Sequence, residues 1–298
     1  MSSTMMGDGR TTAGGTAMRL TFGGAVRAEW RKMWSATSTY VLAVLTIAFL
    51  AVNSLMMGWM VSMMAEGDMP VGDEDIWTSA SSGASNVLVI IGILGVMALT
   101  SEFSSSSIVS SFTVNPRRAM FMHAKALVVG AVAFLAAFAG VCVAWGCAAL
   151  IVGPHVTTGA DAMPAAMPAV TLLGLPLAMA VGAVLAMGLG AICRSTVGGV
   201  LCVIVLFAIV PSVLQMAQLL GRRYVWITSV NNCLPANALT AFVGAGASTF
   251  SNDVASTLLI GGAKPFQPSW GVAGALFALW AAVIYAVGVL LMSRRDVK

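Results

Sequence analysis

Six long apolar runs constrain this chain more than any other feature: residues 39–64, 80–100, 119–152, 169–192, 197–220 and 270–292. A bilayer core of ~30 Å is crossed by about 20 apolar residues in a helix, and every run meets that length. With 59% hydrophobic and only 9% charged residues, the chain departs far from a soluble domain, in which about a quarter of residues are charged. The expected architecture is an all-α membrane protein with six transmembrane helices, forming one domain over residues 18–298. Lipid offers no partner for backbone N–H and C=O groups, so helices that satisfy their own are the economical way to span it.

The segments outside the runs are few. Residues 1–17 are rich in Gly, Ser and Thr without periodicity and read as a disordered tail. Over residues 18–37 the apolar positions Phe22, Val26, Trp30 and Met33 recur at helical spacing, with Arg19, Arg27, Arg31 and Lys32 on the other sides. This pattern predicts an amphipathic helix lying in the membrane interface, with Trp30 and Trp34 at headgroup level and the basic residues near lipid. Residues 66–79 read as a solvated acidic loop. Residues 221–269 form a longer segment whose apolar pieces, 233–244 and 254–260, are too short to span. They are expected to be re-entrant or surface-lying helices.

Orientation follows from the placement of charge. With both termini in the cytoplasm, that face collects 12 of the 15 basic residues and a net charge of +8, leaving −4 outside. The positive-inside rule favours this topology over its inverse. The charge is divided between two membrane faces, which gives no reason to expect a nucleic-acid partner.

The polar stretch SEFSSSSIVSSFTVNPRRAMFMHAK, from Ser101 to Lys125, is the one interior segment that combines an acid, a serine run and a basic cluster. It reads as a short helix over about residues 102–114 lying on the inner surface, with Phe103, Ile108 and Phe112 as its apolar contacts. Asn115 and Pro116 suit the N-cap and first position of the next helix. In the fourth run Gly174, Ala178, Gly182, Ala186 and Gly190 are spaced by four and predict a close helix–helix seam. Pro176 and Pro211 each remove a backbone hydrogen bond and are expected to disturb their helices.

Catalytic and metal-binding patterns are missing. There is no GxxxxGK[ST], HExxH, CxxC or GxSxG, and the two histidines, His123 and His155, are assigned to opposite faces. The five cysteines read as small buried apolar residues. Met56, Met57, Met60, Met63 and Met64 read as a lipid- or cargo-facing stripe in preference to a copper site. The amides Asn53, Asn86, Gln215 and Gln218 either join helices by hydrogen bonds or line a cargo cavity. No ionisable residue falls in the middle third of a span, which argues against an internal ion path.

Four stretches, in this order, resemble the permease subunits of ABC-2 type bacterial exporters: AEWRKMWSATSTYVL from Ala28, Glu102 through Pro116-Arg117-Arg118 with Lys125 beyond, LGAICRSTVGGV from Leu189, and LPANAL from Leu234. The resemblance implies the transmembrane fold of ABCG-type transporters in a bacterial cell membrane. The amphipathic helix, with Arg27, Trp30, Arg31 and Trp34, would be the elbow helix. The segment carrying Glu102, Phe103, Ile108, Phe112, Arg117 and Arg118 would couple to an ATPase. It further implies two separate ATPase subunits that hold ATP and Mg, a second identical or homologous permease, and export of an amphipathic cargo such as a peptide antibiotic, drug or lipid. This chain would itself carry no catalytic residue, metal or cofactor. The four-serine run Ser104–Ser107 departs from the charged or Gly-Thr stretch found there in the family. The alternative class is a non-transporting immunity or sensor subunit.

Overall fold

A computed structural model describes residues 21–67, 69–104, 118–157, 163–217, 225–245 and 265–294. Among them the regular structure is helical: α1 (Phe22–Ser35), α2 (Thr37–Glu66), α3 (Asp73–Ser81), α4 (Ala84–Ser104), α5 (Arg118–Val152), α6 (Met167–Cys193), α7 (Thr196–Ala217), α8 (Val225–Asn232), α9 (Pro235–Val243) and α10 (Trp270–Arg294). Six of these, α2, α4, α5, α6, α7 and α10, are long and apolar enough to cross a membrane.

The bundle has a centre and a periphery. α4 and α6 bury 61% of their most apolar stretch, whereas α2, α7 and α10 bury 22% and leave the rest exposed. α6 packs against α4, α5 and α10, while α2 lies along α5. In lipid the outward apolar surface needs no protein partner, so the inner contacts depend on close fit. The small-residue seam supplies that fit. A Cβ on Gly182 would stand 2.6 Å from Leu88, and Gly190 lies 3.2 Å by the same measure from Thr100, both on α4. Gly174, the first of the series, turns instead to Phe242 of α9. Two further approaches, both to backbone, were not singled out in the sequence. A Cβ on Gly95 would fall 2.2 Å from the Ala183 carbonyl oxygen, and one on Gly288 would fall 2.8 Å from that of Gly188.

The prolines act through widened turns. Pro176 follows a π-turn at Val170–Gly174 in α6, and Pro211 follows another at Val205–Ile209 in α7. A proline has no N–H for the carbonyl four residues earlier and its ring crowds that carbonyl. That carbonyl belongs to Leu172 in one case and Phe207 in the other, both inside the widened turn. α6 then ends at Arg194, whose left-handed backbone (φ 52°) lets its N–H bond to the Gly190 carbonyl. Ser195 starts α7 by accepting from Gly198 N at 3.4 Å.

Two sequence expectations are corrected. The acidic stretch is not all solvated loop: Asp73–Ser81 is α3, packed on α5, with Ser79 and Ala80 fully buried. The acids Asp73, Glu74 and Asp75 occupy its first turn, where the helix dipole favours negative charge, and Asp75 accepts from Gly72 N at 2.9 Å. The cysteines are not buried: Cys142 is exposed and the other four are half-buried. Of the methionine stripe, Met56, Met60, Met63 and Met64 are exposed on α2, whereas Met57 is half-buried against Val61, Val71 and Val152. Of the segment between α7 and α10, α8 and α9 are described, and Trp280 of α10 holds the turn between them by donating to the Cys233 carbonyl at 3.0 Å. The tail at 1–17 and the apolar piece at 254–260 lie outside the described residues.

Candidate functional site: a buried charge quartet

The end of the bundle that carries α1 also holds the last turn of α4 and the first turns of α5. α1 begins with Thr21, whose hydroxyl accepts from Gly24 N at 3.3 Å. It turns Val26, Glu29, Trp30 and Met33 toward the bundle, leaving Phe22, Arg27, Arg31 and Trp34 exposed. The inward stripe is therefore apolar with one carboxylate in it. Phe22, expected on that stripe, lies outside it, because the docked surface starts one turn later.

Opposite Glu29 stands Lys125, seven residues into α5 and 1% exposed. Its Nζ donates to Glu29 Oε2 at 2.5 Å and to Glu102 Oε1 at 2.8 Å. Lys32, one turn after Glu29, donates to the same Glu102 oxygen. Lys125 also sits 5.2 Å from the centre of the Phe121 ring, a cation–π distance. Two carboxylates and two ammonium groups thus tie α1, α4 and α5 together with no net charge. Neutrality matters here. An isolated ion in a low-dielectric interior carries a penalty of several kcal/mol, which only close pairing offsets. Glu102 Oε2 has no hydrogen-bond partner among the described residues, so within them the offset is incomplete at that atom. Two residues before Lys125, His123 Nδ1 lies 2.8 Å from the Tyr285 hydroxyl, which links the same end to α10.

Between the α1–α2 corner and α4 lies a cleft of about 100 Å³, lined by the charged Glu29, Lys32 and Lys125 and by the apolar Met33, Leu42, Leu94 and Met97 among others. At the α1–α2 corner Trp34 and Tyr40 pack with ring centres 5.5 Å apart. Trp30 lies 5.9 Å from Trp34, and the Tyr40 hydroxyl donates to the Trp34 carbonyl at 2.8 Å.

The sequence candidates separate into groups. Glu102 is at the heart of the quartet, and Trp30 and Trp34 flank it. Arg27 and Arg31 are exposed and take no part in it. Phe103 lies in α4 and Arg118 opens α5, while Ile108, Phe112 and Arg117 lie outside the described residues, as does the expected surface helix beyond Ser104. Asn53 and Asn86 are brought together, Asn86 Nδ2 donating to Asn53 Oδ1 at 3.1 Å, and Ser54 donates to the Ala144 carbonyl at 2.7 Å. These bonds favour helix joining over a cargo cavity. Gln215 is exposed on α7, and Gln218 lies outside the described residues.

Glu29 and the burial of Lys125 were missed. By sequence Lys125 reads as one more cation of the basic face, and Glu29 as a lone acid inside a basic helix. The available signal was Glu29 itself, three residues after Val26 and four before Met33, on the apolar face of α1.

The fold and its six spanning-length helices define a multi-pass membrane protein. No protein family, curated protein or solved structure matches the chain.

Proposed function

We propose that the chain is the membrane-spanning permease subunit of an ATP-driven exporter of the ABC-2 type. In this reading it is driven by two copies of a separate ATPase that holds ATP and Mg, and it works beside a second, identical or homologous, permease. The observation that carries the reading is the charge quartet. Glu102 stands at the end of α4, next to the segment 105–117 that would meet the ATPase, and it is bound to α5 through Lys125 and to α1 through Lys32. A push on that segment would reach α1, α4 and α5 as a unit, because parting buried opposite charges takes several kcal/mol. α1 is then the elbow helix and the basic end faces the cytoplasm. α8 and α9 form a re-entrant cap at the opposite face, and cargo is amphipathic or hydrophobic.

The test is purification in mild detergent, followed by ATP hydrolysis in proteoliposomes. An ATPase should accompany the chain, and Glu102→Ala should lower cargo-stimulated hydrolysis about tenfold while the protein still reaches the membrane. Absence of any ATPase, together with normal function, would select the immunity or sensor reading instead.

A further inference from the structure

We propose that the cleft between the α1–α2 corner and α4 is a binding site for the headgroup of an aminophospholipid, a zwitterion with a primary ammonium and a phosphate. Three independent observations converge on this. The first is charge. Glu29 lines the cleft, and its Oε2 is taken by Lys125 while Oε1 has no donor among the described residues. Lys32 also lines the cleft, is 47% exposed, and has N–H groups beyond the one given to Glu102. The wall therefore offers an acceptor for an ammonium and a donor for a phosphate, side by side, within a quartet of zero net charge. A purely anionic headgroup would meet the Glu29 carboxylate unfavourably, whereas a zwitterion satisfies both charges.

The second observation is depth. Trp30, Trp34 and Tyr40 cluster at the α1–α2 corner, next in sequence to the lining residues Glu29, Met33 and Thr39, with Trp34 and Tyr40 each 46% exposed. Aromatic residues with a polar tip collect at the headgroup level of a bilayer. The third is the outer surface of α2, where Tyr40, Val41, Val44, Leu45 and Phe49 are all exposed and apolar enough to lie beside acyl chains. Met33, Leu42, Leu94 and Met97 give the cleft itself an apolar share of its lining. At about 100 Å³ the cleft takes a headgroup and leaves the chains outside on α2.

The experiment is native mass spectrometry of the full, delipidated chain offered equal amounts of phosphatidylethanolamine, phosphatidylcholine and phosphatidylglycerol with identical acyl chains. Phosphatidylethanolamine should be retained about tenfold more than phosphatidylcholine, whose trimethylated nitrogen has no N–H to give Glu29, that being roughly the worth of one charge-assisted hydrogen bond. Glu29→Gln should lower phosphatidylethanolamine retention severalfold and raise that of phosphatidylglycerol, which no longer meets a carboxylate. Because that substitution also disturbs Lys125, Ala98→Phe is the companion variant. It fills the cleft from α4 without touching a charge and should abolish the preference for the ethanolamine lipid. Equal retention of ethanolamine and choline lipids, preference for phosphatidylglycerol, or an unchanged preference in Ala98→Phe would each overturn the proposal.

Discussion

The two ends of this bundle are held together by different forces. At the α1 end, α1, α4 and α5 meet through Glu29, Lys32, Glu102 and Lys125. At the opposite end, among the described residues, the helices meet through apolar and aromatic contacts and neutral hydrogen bonds such as that of Trp280, with no ion pair. Val61, Val71 and Val152 cluster where α2 and α5 finish, Trp77 of α3 lies 5.7 Å from Trp145 of α5, and Phe242 of α9 fills the space left by Gly174 and Gly274. Apolar contacts degrade by increments, since each atom removed loses a small share of the packing. Buried charges behave otherwise. Removing one member leaves its partner unpaired in a low-dielectric site, so the loss is abrupt.

The sharpest way to break that comparison is Lys125→Ala, which strands the buried Glu29 and leaves the buried Glu102 with Lys32 alone. It should destabilise the protein by about 3–5 kcal/mol, seen as a large fall in the thermal unfolding temperature in detergent. The combined variant Lys125→Met, Glu29→Gln, Glu102→Gln should recover most of that stability while abolishing whatever motion the charges transmit. If the triple variant is no more stable than Lys125→Ala, the quartet is not the source of the loss. A smaller effect, about 1–3 kcal/mol, is expected from Gly95→Ala, whose new methyl meets the Ala183 carbonyl. Denaturant titration of the two variants side by side would rank them. Ser54→Ala removes one interhelical bond to the Ala144 carbonyl and should cost about 0.6 kcal/mol. Lys32→Ala, at the exposed rim of the quartet, should change stability by no more than about 1 kcal/mol.

What could be read from sequence divides along the same line. The six spans were legible to within a few residues, because hydropathy is continuous along each helix and lipid leaves few other solutions. The Gly182 and Gly190 seam was legible because a spacing of four survives in a straight helix. α3 was not, since Asp73, Glu74 and Asp75 look like a loop until they are placed on a helix N-terminus. The quartet joins residues 23, 70 and 96 positions apart, and no local pattern encodes such a meeting. Glu102 was found because it interrupts an apolar run. Lys125 and Glu29 were not paired with it, because each has basic or polar residues nearby that supply an ordinary surface explanation. Gly95 and Gly288 likewise stood outside any regular series.

The widened turn in α7 has a geometric consequence for the outer surface of the bundle. Val197, Leu201, Val205, Ile209 and Val213 recur every fourth residue and are all exposed. A regular α-helix rotates about 100° per residue, so Val197 and Val213 would point about 160° apart on an unbroken rod. The extra residue absorbed at Val205–Ile209 reduces that divergence to about 60°. A strip that would have spiralled around the helix is thereby straightened into one continuous flank running the length of the span. Closing that turn to regular α-helix with all of its residues kept would swing half of that flank out of line with the other half.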